Sequence, residues 1–195
     1  MKRKLAALII ASLSIGAIST VSAADDKNAL ILDIQTTVKA GTCQTQLQTT
    51  AGQNLTTVAF GDVYKPELQS KSKVQNFQLA ISKCTGLMDH VADITLEPSG
   101  INCAGPTPGA SFANAISGGA SATAVEVWTG TPDAGGTQFN CAQKNVVSQD
   151  VTNAAGSGKV VVPLTARMVI APTRSLSDVT AGEFSSSAIF VVSYK

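Results

Sequence analysis

Residues 184–195 read Phe-Ser-Ser-Ser-Ala-Ile-Phe-Val-Val-Ser-Tyr-Lys. Phe184, Ala188, Phe190, Val192 and Tyr194 fall on one side of a strand with a two-residue period, Ser186 being the gap. Ser185, Ser187 and Ser193 fall on the other side, joined by Ile189 and Val191. This alternation marks a half-buried β-strand. Its apolar face needs cover, and its free edge would expose backbone groups and apolar pockets. An ordinary sandwich continues into a further strand at that edge, whereas this chain is expected to stop there.

Other segments carry the same signature. Residues 30–38 alternate, residues 57–60 stop at Gly61-Asp62, and residues 74–81 place Phe77, Leu79 and Ile81 on one face. Residues 92–96 stop at Pro98-Ser99-Gly100, and residues 124–128 at Gly130-Thr131-Pro132. Residues 160–170 form a long apolar run broken by Thr165 and Arg167, with Pro163 near its start. Short strands with Gly, Pro and Asn punctuation predict an all-β sandwich or barrel. No segment sustains a helical period. Residues 105–122, rich in Gly, Ala, Ser and Pro, read as a long loop holding one short strand or helical turn.

At the other end, Lys2, Arg3 and Lys4 precede an apolar run over residues 5–18, and small residues lead to Val21-Ser22-Ala23. That layout predicts a secretory signal peptide over residues 1–23. The run is short for an uncleaved membrane span. The remaining 172 of 195 residues suit one domain. They carry 11 Lys and Arg against 13 Asp and Glu, with no basic run, so nucleic acid is not an expected partner. A charged fraction of 14% with many Ala, Val, Thr, Ser and Gly residues fits an all-β chain.

Four cysteines, Cys43, Cys84, Cys103 and Cys141, remain in the exported part. An even count in an oxidising compartment predicts two disulfides, with three possible pairings. Cys43–Cys84 with Cys103–Cys141 is favoured because each pair brackets a block of predicted strands. Closing either loop stabilises by about 4 kcal/mol in the chain-entropy model. A zinc site is the rival, but there is no CxxC and His90 is the one histidine.

The order of these pieces resembles the pilin subunits of the chaperone–usher pathway, such as those of type 1 and P pili. An alternating extension precedes Cys43, and Phe77-Gln-Leu-Ala-Ile-Ser-Lys-Cys84 is similar to the family's strand around its second cysteine. Val58-Ala-Phe-Gly61 and Pro163-Leu-Thr-Ala-Arg-Met168 resemble other family segments. Gly182 lies fourteenth from the last residue and Tyr194 is penultimate. The resemblance implies an incomplete immunoglobulin-like β-sandwich lacking its final strand. In that arrangement a periplasmic chaperone supplies the strand, and at the outer-membrane usher the extension of a neighbouring fimbrial subunit replaces it. The donor extension is then residues 24–40, with Leu30, Leu32, Ile34, Thr36 and Val38 facing the neighbour's groove, and the pilin domain residues 41–195. Gly182, Phe184, Ala188, Phe190, Val192, Tyr194 and Lys195 become the acceptor strand and chaperone-recognition residues. Thr36 stands where the family carries glycine, seven residues before the first cysteine. It and the second cysteine pair favour a minor or adaptor subunit over a major one.

The alternative class is a single-domain fimbrial tip protein binding a host glycan, with Trp128 as the stacking residue. A tip protein has no need of a donor strand. An enzyme lacks support. His90 beside Asp89 reads as a solvated loop residue, and no GxSxG elbow occurs. Gly156-Ser157-Gly158-Lys159 lacks the earlier glycine and the following Ser or Thr of a phosphate loop, so it reads as a turn. Asp25-Asp26 reads as a solvated leader, and Asn54-Leu55-Thr56 is a glycosylation triplet without an expected use. No cofactor or metal is expected. Peptide mapping without reduction should recover Cys43 joined to Cys84 and Cys103 joined to Cys141; a Cys43–Cys103 peptide would overturn the pairing.

Overall fold

The two longest strands set the centre of the larger sheet. In the computed structural model, β2 (Val74–Thr85) and β9 (Lys159–Ile170) pair antiparallel, with Leu79 opposite Val162 and Phe77 opposite Leu164. The structure describes residues 36–37, 40–100, 103–105 and 109–195. The signal-peptide assignment and donor positions Leu30, Leu32, Ile34 and Val38 therefore lie outside the described residues. The chain divides into Met1–Thr37 and Val38–Lys195. Of the first unit only Thr36 and Thr37 are described, both exposed and in no regular element.

In the second unit, β1 (Thr42–Thr49) lies on the other side of β2, and β6 (Thr123–Thr129) on the other side of β9. The far edge of β6 pairs with β5 (Ser111–Ala113) and with β7 (Thr137–Phe139), and β5 pairs with β4 (Cys103–Ala104). A second sheet runs β10 (Ala188–Tyr194), β3 (Val91–Pro98), β8 (Val147–Asp150). All these pairings are antiparallel.

Alternation explains the core. Phe77, Leu79 and Ile81 of β2, Val162, Leu164, Ala166 and Met168 of β9, and Val125 and Val127 of β6 belong to one buried cluster with Ala92, Ile94 and Leu96 of β3. Each large aliphatic side chain so buried contributes about 1.5–3 kcal/mol before ordering costs. Phe139 packs edge-on against Phe190 at 5.7 Å, linking the two sheets. One disulfide joins Cys43 at the start of β1 to Cys84 near the end of β2. A second joins Cys103 to Cys141, spanning the loop-rich region that contains β5 and β6.

Two local expectations fail. Residues 57–60 form no strand. Leu55, Val58, Phe60 and Val63 instead tuck half-buried against the core, at spacings that no single strand face can present. A helix, α1 (Lys65–Ser70), follows. Six residues are too few for a helical period to be visible, but its start is encoded in Pro66 and Glu67. The Glu67 carboxylate accepts the Tyr64 N–H at 2.7 Å. The glycines of residues 156–158 make the turn before β9, where a Cβ on Gly158 would meet the Asn153 carbonyl at 2.1 Å.

The outer face of the large sheet holds one buried charge. The Arg167 side chain is 6% exposed and donates from Nη2 and Nε to Glu126 at 2.6 and 2.9 Å. Asp133 accepts from Nη1. Burial opposes the guanidinium charge, but its hydrogen bonds to Asp133 and Glu126 outweigh that and raise its pKa. Trp128 lies over the same guanidinium at 5.3 Å and donates from its indole N–H to Glu126. Replacing Glu126 by alanine leaves Arg167 buried with one exposed partner. Glu126→Ala should cost about 3 kcal/mol in urea unfolding followed by Trp128 fluorescence; a change below about 1 kcal/mol would show the cluster to be energetically idle.

Candidate functional site: two strand edges beside an apolar seam

The acceptor residues singled out in the sequence converge on β10 and the segment leading into it. Along β10, odd-numbered residues face β3. Lys195 donates to the Val91 carbonyl at 3.0 Å and accepts from Asp89 N–H at 3.2 Å, and Ser187 accepts from Ser99 N–H at 2.9 Å. Ser193, Val191 and Ile189 stand opposite Asp93, Thr95 and Glu97 in the same register. In an antiparallel pair, alternate residues turn their backbone groups to opposite sides. The N–H and C=O groups of Ala188, Phe190, Val192 and Tyr194 therefore point to the far edge, which pairs with no strand among the described residues.

The side chains tell the same story. Phe190, Val192 and Tyr194 stand opposite Leu96, Ile94 and Ala92 on the core face. The β3 residues are 2%, 0% and 0% exposed. Their β10 partners, on the same layer, are only half-buried. Cover is complete over one strand and incomplete over its neighbour. On the opposite face Ile189 and Val191 are exposed, at 55% and 44%.

β1 presents the second edge. Among the described residues it pairs with β2 alone, and its outer side receives backbone bonds only near its end, where Leu47 accepts from Leu55 N–H and Thr49 donates to Gln53. Cys43 and Leu47 lie half-buried against the core. The two edges approach each other at Tyr194, where burial raises the phenol pKa and the nearby Thr45 side chain of β1 opposes that shift.

The approach to β10 is fixed by a residue that no pattern along the chain singles out. Asn114 donates from Nδ2 to the carbonyls of Ala120 and Glu183, at 3.0 and 2.8 Å. Its Oδ1 accepts from the N–H groups of Ile116 and Ser185, at 3.1 and 3.0 Å. Ala115 and Ala120 N–H add bonds to the Ser185 and Glu183 carbonyls. Gly182 has a local task here, because a Cβ on it would meet the Ala120 nitrogen at 2.5 Å. These contacts replace strand pairing over residues 184–187, so β10 starts at Ala188 rather than at Phe184. Phe184 and Ser186 point inward, half-buried, and Ala188 is exposed. The Ser186 hydroxyl is buried and has no hydrogen-bond partner among the described residues.

Lys195 closes the other end by pairing with Asp93, which also accepts from the Ser148 hydroxyl at 2.6 Å. Among the described residues no three His, Cys, Asp or Glu side chains cluster to hold a metal ion. His90 is exposed in the turn before β3.

Hydrogen bonds from Lys195 and Ser148 hold the Asp93 carboxyl below its ordinary pKa, with burial opposing. A carboxyl so depressed stabilises the fold above its ordinary pKa and loses that contribution as pH falls through the folded value. The thermal midpoint should therefore be higher for the parent chain than for Asp93→Asn at about pH 7, and the gap should narrow as pH falls below the ordinary carboxyl range of about 4. A gap independent of pH would exclude this ion pair as its origin.

No family model matches the chain. It is 41% identical over 169 residues to an uncharacterized fimbrial-like protein, YadL, of Escherichia coli strain K12, covering 84% of this chain and 83% of that protein. Its fold is similar to the crystal structure of the P pilus rod subunit PapA, with a TM-score of 0.52 at 18% identity, over 78% of this chain and 99% of that one. The match to a subunit in a chaperone–usher pilus structure has a TM-score of 0.49 at 16% identity, over 90% of this chain and 100% of that one. The fold is the immunoglobulin-like sandwich of the pilins. With a relative this similar over most of both chains, the chain belongs to the fimbrial-like proteins.

Proposed function

We propose that this chain is exported through the periplasm to the cell surface and polymerised into a fimbrium by strand donation. The observation that carries the proposal is the half-covered apolar row of Phe190, Val192 and Tyr194 beside an edge that no described strand pairs. A strand laid between β10 and β1 bonds to the backbone groups that face outward and covers the row. Covering each large side chain contributes about 1.5–3 kcal/mol before ordering costs. A periplasmic chaperone lends that strand first, and an incoming subunit replaces it at the outer-membrane usher. Residues 24–40 of this chain supply the equivalent strand to the preceding subunit. The second cystine and Thr36 favour a minor or adaptor position, in a fibre that supports cell adhesion. One ring face of Trp128 is taken by Arg167, which weighs against a sugar-stacking role.

Deletion of residues 24–38 separates donating from accepting. The truncated subunit should be recovered from the periplasm in normal amounts, since its groove is untouched, yet fail to enter fibres when these are sheared from cells and counted by immunoblot. Incorporation at the normal level would overturn strand donation.

A further inference from the structure

We infer that the strand completing this fold comes from residues 30–38 of a second copy of this chain, antiparallel to β10, with Thr36 opposite Ser186. The inference rests on the strand-donation proposal above and assigns its partner and register. Two patterns carry it. On the acceptor, the inward positions are Phe184, Ser186, Ala188, Phe190, Val192 and Tyr194. The Tyr194 phenol is half-buried and not among the buried polar groups that lack a partner, whereas the buried Ser186 hydroxyl lacks one among the described residues. On the donor, the two-residue period puts Leu30, Leu32, Ile34, Thr36 and Val38 on one face, and Thr36 is its one polar member. One unmatched hydroxyl thus meets one hydroxyl.

The rest of the register follows from that match. Antiparallel pairing sets Val38 against Phe184, Ile34 against Ala188, Leu32 against Phe190 and Leu30 against Val192. The branched Ile34 falls on the smallest acceptor residue. Parallel pairing with the same hydroxyls matched places Leu32 beside Gly182 and leaves Phe190, Val192 and Tyr194 uncovered. A slip of two residues lays an aliphatic side chain on the buried hydroxyl, and a slip of one turns the whole apolar face outward. The backbone fits as well. Phe184 and Ser186 have no backbone hydrogen bond among the described residues, and the even-numbered residues of β10 point to the open edge.

The donor cannot be the chain's own extension in this register. Phe184 lies about 33 Å along the strand from Tyr194, and Tyr194 reaches Thr45 of β1. Val38 is four residues before Thr42, where β1 begins. That link spans about 14 Å at full stretch, short of what remains even after β1 itself is counted.

The test uses the full exported chain, refolded with synthetic peptides of residues 25–40 carrying either Thr36 or the isosteric Thr36→Val change. The parental peptide should bind about tenfold more tightly than Thr36→Val, and Ser186→Ala in the full chain should erase the preference. Equal binding of the two peptides, or a preference that survives Ser186→Ala, overturns the register. If neither peptide binds, strand donation itself fails. A second measurement needs no hydroxyl: a Thr36→Cys peptide should cross-link to Ser186→Cys chain under mild oxidation, and a Leu32→Cys peptide should not. The reverse outcome overturns the assignment.

Discussion

An antiparallel strand buried on one edge and bare on the other is the constraint from which the rest of this structure follows. β10 is bound to β3 along its odd-numbered residues, and that pairing leaves its even-numbered backbone groups facing away. The same parity puts Phe190, Val192 and Tyr194 over the core without full cover. A strand edge in this state invites another chain, and most proteins blunt it with charge, proline or a bulge. Here the edge carries none of these. Among the described residues the neighbouring edge of β1 is similarly unpaired over its first half, so the seam has two walls.

What surrounds the seam keeps it in shape. Asn114 uses both donors and its acceptor oxygen to hold residues 183–185 against the 114–120 loop. Gly182 and Gly119 permit that approach, since side chains on either would collide with the opposite backbone. Lys195 and Asp93 fix the other end of β10. A strand arriving as proposed would meet an edge already extended and oriented. Less conformational freedom is lost when partners are ordered beforehand, and affinity gains accordingly.

Much of this was legible in the sequence, and the parts that were not have physical reasons. The strands β2, β3, β6, β9 and β10 announce themselves because a half-buried strand needs alternation that chance seldom supplies. The acceptor residues are visible for the same reason. Asn114 is invisible because its partners include Ser185, 71 residues away, and a lone polar residue in a loop carries no period. α1 is too short to register one. Residues 57–60 mislead because β-branched and aromatic residues in a row resemble a strand, while the neighbouring apolar positions obey irregular spacing. Arg167 and Thr165 interrupt an apolar run, and their burial depends on Glu126, Asp133, Asn76 and the Gly130 carbonyl reaching them from elsewhere.

The Cys43–Cys84 bridge has a mechanical meaning for a link in a fibre. In the proposed fibre, tension arriving through the N-terminal extension would enter the domain at Cys43, one residue into β1. Without the bridge, that pull would peel β1 from β2 one hydrogen-bonded pair at a time. The cystine carries the load covalently to Cys84, at the far end of β2, bypassing the β1–β2 ladder altogether. From there it passes into the β2–β9 ladder, the longest run of paired residues in the larger sheet. The β1–β2 edge is thereby removed from the path of that force.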